Sequence, residues 1–373
     1  MRRTVLILLC LAVLTGVGLC VRAGAARPVV GFAYTHPSAG YLDLAAAGLE
    51  ARGIPLPSFR YDSLADSETS DGALALASTF VADPALSVIV GPSNSRHALA
   101  TAPAYNAVGL SQIVPSATSR RLRGAGPSTF TLAPDDSVEG AFLARFAGQQ
   151  LGARRAIVFF INDEYGEGLR EGIEASFVAE GGAVLGSYPV GGEVDIATVV
   201  DAAFRRGRPD VVLVAGRSAE TGLILRAVRA LDPKLPVIAG DGAYLPAQLL
   251  HFAGGDLTGL YVVAFWVYDS TDATHRAFAE RVRRIFHTDP MPEDALTEDA
   301  LVLATEARIA MGTDRAGVRR WLTALGRERP PFAGLTGPIS FGPAREFPLA
   351  MVRFREGRAE RADRSLVAPA PAP

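Results

Sequence analysis

Small hydroxyl residues crowd two neighbouring places in the stretch "VGPSNSRHALATAPAYNAVGLSQIVPSATS", Val90 to Ser119. Ser93 and Ser95 follow one apolar run, and Ser116, Thr118 and Ser119 follow the next. A hydroxyl between a strand and a helix can cap the helix by accepting a backbone N–H. With the free N–H groups of that helix start it can also hold an anion, such as a carboxylate. A single serine in such a place is ordinarily a cap. Two clusters on adjacent strand ends point instead to a crevice outside the carboxyl ends of parallel strands, where open sheets bind ligands.

Other chemistries find no support. No serine lies in a G-x-S-x-G elbow and no H-E-x-x-H occurs. His97 is two residues from Ser95, so on a helix start the two side chains diverge. The five histidines are dispersed, which argues against a metal cluster. Gly166, Gly168 and Gly172 follow a strand but miss the dinucleotide spacing, and Asp163 and Glu164 beside them would repel a pyrophosphate. Asp135 and Asp136 read as a solvated helix start. No catalytic set, metal site or cofactor is therefore expected, and the chain is not read as an enzyme. The net charge of −2 supplies no basic field for nucleic acid. Lys234 is the only lysine and the arginines are scattered, a bias of composition more than of function.

The elements that must position these residues are regular. The runs "PVVGFAY", "LSVIVGP", "RAIVFFIND", "DVVLVAG", "LPVIAGDG" and "GLYVVAFW" alternate with helical stretches rich in Ala, Leu and Arg. Continuous apolar strands separated by helices predict parallel sheets covered on both faces. The alternation occurs twice, and 373 residues with 49% hydrophobic content suffice for two cores. The expectation is an α/β fold of two doubly wound parallel-sheet lobes joined by a hinge of three crossings, near "TLAP", "FWVYDS" and "FAGLTG". Lobe 1 takes residues 27–134 and 268–333, and lobe 2 takes 135–267 and 334–362. Three helical segments, "THRAFAERVRRIF", "TEDALVLATEARIAMG" and "AGVRRWLTALG", precede late strands in "FAGLTGPISF" and "PLAMVRFREG". Residues 363–373 form a Pro/Ala-rich tail.

Residues 1–26 read as an export signal: Arg2 and Arg3 lead an apolar run, and Ala23 and Ala25 give the small-x-small cleavage pattern. The other reading is a retained membrane anchor. Cys20 follows Leu19, which disfavours a lipid anchor. Both cysteines, Cys10 and Cys20, lie in this leader, so the mature chain would carry none, as suits an oxidising compartment such as a periplasm.

The Val90–Ser119 stretch resembles the strand, helix and strand of type I periplasmic binding proteins, in particular the branched-chain amino acid (Leu/Ile/Val) receptors of ABC transporters. The likeness continues through "FFINDEYGEGLREGIEASFVAEGGAVLG", "VIAGDGAYLPAQLLHFAGGDLTGLYVVAFW" and "FAGLTGPISF". It implies that Ser95, Ser116 and Thr118 hold a ligand carboxylate from the first lobe. From the second, Tyr165 closes over the ligand and Asp241 takes its ammonium. Where the family often has an aromatic residue this chain has Arg217, which could pair with a second ligand anion or reach solvent. Tyr41 stands as the substitute for an aromatic pocket wall. The resemblance further implies a monomeric periplasmic receptor that hands an amino acid or similar small carboxylate to permease subunits in the membrane. The alternative is a ligand sensor that is not coupled to transport.

Overall fold

The computed structural model describes residues 27–34, 39–63, 70–342, 345–355 and 358–363, so the leader and most of the Pro/Ala-rich tail lie outside the described residues. The chain begins with β1 (Val29–Tyr34), α1 (Ala39–Ala51), β2 (Ser58–Ser63), α2 (Asp71–Ala82), β3 (Val88–Val90), α3 (Ser95–Ala107), β4 (Ser111–Val114) and β5 (Thr129–Thr131). It continues with α4 (Asp136–Arg145), β6 (Arg155–Ile161), α5 (Glu164–Ala179), β7 (Ala183–Val190), α6 (Ile196–Arg206), β8 (Val211–Ala215) and α7 (Ser218–Leu231). After β9 (Val237–Ala239), α8 (Pro246–Phe252) and β10 (Leu260–Ala264) come three helices, α9 (Ala273–Phe286), α10 (Pro292–Met311) and α11 (Arg315–Thr323). The strands β11 (Phe332–Gly334), β12 (Gly337–Ile339), β13 (Ala350–Arg355) and β14 (Arg358–Arg361) complete it.

Two main sheets result. The first has the order β2-β1-β3-β4-β5 and is parallel throughout. The second has the order β14-β13-β10-β9-β8-β6-β7. It is parallel from β7 to β10, and antiparallel β13 and β14 extend one edge. All six apolar runs named from the sequence are strands. Those at the sheet centres, such as β3, β8 and β9, are buried at every residue, because helices cover both faces of a parallel sheet.

The chain passes between the sheets three times. The first passage leads from β5 to α4. The second leads from β10 back to α9 and α10, which pack on α1 and on the first sheet. Helix α10 begins at Pro292, five residues before the segment seen in the sequence, because proline suits a helix start and Asp294 accepts the Met291 N–H at 2.8 Å. The residues "FAGLTG" form the β11–β12 hairpin. Asp299 of α10 holds its turn, accepting from the Leu335 N–H (2.7 Å), the Thr336 N–H (2.9 Å) and the Thr336 hydroxyl (2.8 Å). The third passage therefore follows Ile339 and ends at Ala350. Within it the Arg345 guanidinium donates to the Thr131 and Leu132 carbonyls, each at 2.6 Å, and lies 4.4 Å from the Phe347 ring. One side chain thus ties the third passage to the first.

Candidate functional site

The turns beyond the carboxyl ends of β3 and β4 carry the hydroxyls. Gly91, which opens the first turn, has φ +91°, and a Cβ there would stand 1.9 Å from the Ala33 carbonyl oxygen, so only glycine fits. The cap of α3 is Asn94, whose side chain accepts the His97 N–H at 2.8 Å. Ser95 is thereby relieved of capping, the role that its place in the sequence first suggests. Its hydroxyl instead accepts the Ser119 N–H at 3.2 Å and joins the two turns. The Ser116 hydroxyl donates to the Ser93 carbonyl at 3.3 Å and lies 3.4 Å from Glu293 Oε1. The hydroxyls of Ser93 and Thr118 are buried without a hydrogen bond of normal geometry. Ser95, Ser116 and Thr118 are thus brought together at the end of the first sheet.

The second sheet presents its own group at the ends of β6, β8 and β9. Asp163 caps α5 by accepting the Gly166 N–H at 2.9 Å, which sets Tyr165 in the first turn. The Tyr165 hydroxyl donates to Asp241 Oδ1 at 2.9 Å and accepts the Gly242 N–H at 3.0 Å. Arg217, just beyond β8, donates to Asp163 Oδ2 at 2.6 Å, and its guanidinium lies 6.0 Å from the Tyr165 ring centre. Its charge is therefore matched within the chain. Tyr41 lies apart on α1, packed on Tyr34 and Phe286 at ring separations of 4.8 and 5.0 Å, with its hydroxyl donating to Asp294 Oδ1 at 2.9 Å. Its link to the hydroxyl turns runs through Glu293, which acts on both tyrosines and also touches Ser116.

Between the two groups lie acids that sequence reasoning missed. Helices α4 and α5 meet at backbone distance: a Cβ on Gly172 would stand 2.3 Å from the Asp136 carbonyl oxygen, and one on Gly168 2.3 Å from Asp136 Oδ2. The glycine spacing in "YGEGLREG", read only as a failed dinucleotide loop, serves this approach. Asp135 and Asp136 are not the solvated helix start expected from the sequence. Asp135 caps α4, pairs with Arg123 and is 7% exposed, while Asp136 is 1% exposed because α5 covers it. Glu139, one turn on, is fully buried and accepts the Asp241 N–H at 2.8 Å.

Burial pushes the Asp136 carboxyl up to about 8, and Asp241, Asp135 and Glu164 add to the rise while the Thr118 hydroxyl opposes it. Burial likewise raises Glu139 well above the carboxylate range, with Asp241 and Asp136 adding to it. Asp241 is pushed up to about 6 by burial, against the Tyr165 hydrogen bond. Contacts from the hydroxyl side reach this group. Ser119 donates to Glu164 Oε1 at 2.9 Å, and Arg121 and Arg120 pair with Glu164 and Glu171, both at 2.7 Å. Among the described residues no helix is long and apolar enough to cross a membrane.

Residues 39–358 match the model of the periplasmic binding protein family. This chain belongs to that family. Its members are solute-binding proteins rather than enzymes, and the chain is a substrate-binding component of that kind. A curated Leu/Ile/Val-binding protein of Citrobacter freundii is 24% identical over 310 residues, which span 83% of this chain and 81% of the relative. An ABC-transporter substrate-binding protein of Desulfitobacterium hafniense, solved with Leu, matches with TM-score 0.74 and 23% identity, over 90% of this chain and 99% of its own. A solute-binding protein of R. palustris, solved with 4-hydroxybenzoate, matches with TM-score 0.75 and 16% identity, over 90% and 95%. These structures carry the fold of two mostly parallel α/β sheets described above.

Proposed function

We propose that this periplasmic binding protein captures an amino acid in the crevice between its two sheets and delivers it to the permease of an ABC transporter. The supporting observation is the facing of two unlike groups. On one side Ser95, Ser116, Thr118 and the N–H groups of their turns suit a carboxylate. On the other, Tyr165 orients Asp241, which suits an ammonium. Arg217 flanks the second group, and Tyr41 buttresses the first through Glu293. Two of the relatives named above agree with this chemistry, a Leu/Ile/Val-binding protein and a structure that holds Leu, while the third holds 4-hydroxybenzoate, which carries a carboxylate and no ammonium.

The remaining assignments follow the sequence. Residues 1–26 are an export signal, so the working protein is periplasmic and begins near Ala26 or Arg27. Residues 27–134 with 268–339 act as one lobe and 135–267 with 340–362 as the other, the last boundary lying past the β11–β12 hairpin instead of at residue 333, and they rotate about the three passages. The protein works as a monomer. A benzoate-type ligand is disfavoured, since it would leave Asp241 facing no cation.

Calorimetric titration of the exported chain with L-leucine, L-isoleucine, other L-amino acids and benzoate tests the proposal. Binding of at least one amino acid, with benzoate inert, is the expected outcome. Binding of benzoate alone would refute the amino-acid reading.

A further inference from the structure

The hydroxyl turn after β4 is held from across the crevice. Ser119 ends that turn, and its N–H donates to the Ser95 hydroxyl at 3.2 Å. Its own hydroxyl accepts the Arg121 N–H at 3.4 Å and so caps a single turn of 3-10 helix, Arg120–Gly124. The proton of that hydroxyl goes to helix α5 of the second sheet, donated to Glu164 Oε1 at 2.9 Å. Arg121 donates to Glu164 Oε2 at 2.7 Å. Both oxygens of one carboxylate are thus spent on the end of the first sheet's turn. Seven residues on, along the same face of α5, Glu171 accepts from Arg120 at 2.7 Å.

Local structure does not need these contacts. Asp163, and not Glu164, caps α5, and Ser119 caps its own turn as an acceptor, a role that its donation to Glu164 leaves intact. Glu164 stands in the first turn of α5, where the helix dipole favours an acid, with its side chain 25% exposed, and Ser119 is buried. The same turn has a second tie to the second sheet's helices. The Thr118 carbonyl accepts the Asp136 N–H at 2.8 Å, directly after the first passage, and Arg123 pairs with Asp135 there. The ties at Asp135 and Asp136 sit beside the passage, whereas Glu164 and Glu171 sit on α5, which the chain reaches only after β6.

Resting on the reading above of a ligand held between two lobes, we propose that Glu164 is a positioning residue for that ligand: it clasps the carboxylate-binding turn from the second lobe, so that release waits for the clasp to open. An exposed ion pair alone contributes little. Here one carboxylate takes a part-buried hydroxyl and a guanidinium together, and the Arg120–Glu171 pair lies beside it, so the contacts act as a network. Ser119 carries the effect into the site, because its N–H rests on the Ser95 hydroxyl. The clasp forms only when the lobes meet. It therefore acts on dissociation, which must break it, and leaves association to the open form. Salt screens exposed pairs and should speed release.

Stopped-flow release of L-leucine from the exported chain tests the clasp. Glu164→Ala should raise the release rate about three- to tenfold, with the association rate and the ligand-free melting temperature nearly unchanged. Glu164→Gln keeps an acceptor for Ser119 and should fall between. Arg121→Glu sets two acids together and should speed release more than Arg121→Ala does. Adding Glu164→Arg to it should recover most of the loss, a repair that separate structural roles for the two residues would not give. Both cysteines lie in the leader, so spin labels on cysteines placed at exposed Leu74 and Val178, one on each lobe, report closure whatever the ligand. The shorter separation should be less populated in Glu164→Ala, and at about 1 M NaCl than at about 0.02 M. Unchanged release in Glu164→Ala, or a loss that the charge swap does not repair, would overturn the clasp and leave the amino-acid reading standing. Binding of neither leucine nor any other amino acid would overturn the amino-acid reading, and the labels would then decide the clasp: longer separations in Glu164→Ala support it, and equal ones overturn it as well.

Discussion

Replacing Asp136 with asparagine removes a buried carboxyl that the folded chain keeps protonated. The carboxyl titrates at about 8 in the folded protein, because it is buried and ringed by Asp241, Asp135 and Glu164. In the unfolded chain an aspartate titrates near about 3.9. Between these values the folded state holds a proton that the unfolded state has released, so stability falls as pH rises, by up to about 1.4 kcal/mol per pH unit. The contribution is complete below about pH 4 and gone above about pH 8. From about pH 5.5 to about pH 7.5 the ligand-free protein should therefore lose about 2–3 kcal/mol through this group, or roughly 5 °C of melting temperature. Asp136→Asn carries no titrating group there. Its melting curve should fall by that much less over the same range, while the slopes due to Glu139 and Asp241 persist in both proteins. Calorimetric melts of both proteins across this range decide the matter. Identical pH slopes would mean that Asp136 is ionised or solvated in the native protein, and the account of a dry acidic group would fail.

Three further substitutions probe the supporting structure. Gly168→Ala would put a Cβ 2.3 Å from Asp136 Oδ2, so it should cost about 1–3 kcal/mol in a urea titration; a neutral result would mean that α4 and α5 are not so closely packed. Arg345→Ala removes two hydrogen bonds to the Thr131 and Leu132 carbonyls and should cost about 2–4 kcal/mol by the same assay. Scattering with and without ligand should also show a wider range of shapes in that variant, and unchanged curves would deny Arg345 a part in the hinge. Arg217→Ala breaks a half-exposed ion pair with Asp163, so less than about 1 kcal/mol of stability should be lost. A large loss would show that the pair is a structural anchor.

The fold was legible because its signal is periodic. Apolar runs such as "DVVLVAG" and "LPVIAGDG" can sit only between two helical layers, and both are central strands. Short or polar strands were not legible: β2 reads "SFRYDS" and β5 only "TFT", and both gain their conformation from neighbours in the sheet. The antiparallel edge of β13 and β14 likewise depends on a long-range pairing with β10 that no local pattern announces. In the site, residues at strand ends were visible because a hydroxyl or an acid beside a turn is unusual company. Asp136, with Asp135, looked like a solvated helix start, and Glu139 one turn on carried no signal of its own. Only the packing of glycine-bearing α5 against α4 turns them inward, and the signal that could have found them was the Gly168 and Gly172 spacing. Tyr41 looked like a pocket wall, and the partner that its hydroxyl meets, Asp294, lies 253 residues away in sequence.

The account rests on a crevice with a carboxylate side and an ammonium side, and paired titrations of Ser95→Ala and Asp241→Asn test that most directly. The titrant is whichever amino acid binds the unmodified chain, and circular dichroism confirms that both variants fold. Ser95→Ala should weaken binding about tenfold to a hundredfold by loss of a charge-assisted hydrogen bond. Asp241→Asn should weaken it at least as much, because the ammonium would be buried without its counter-charge. Full affinity in both variants would place the binding site elsewhere in the molecule.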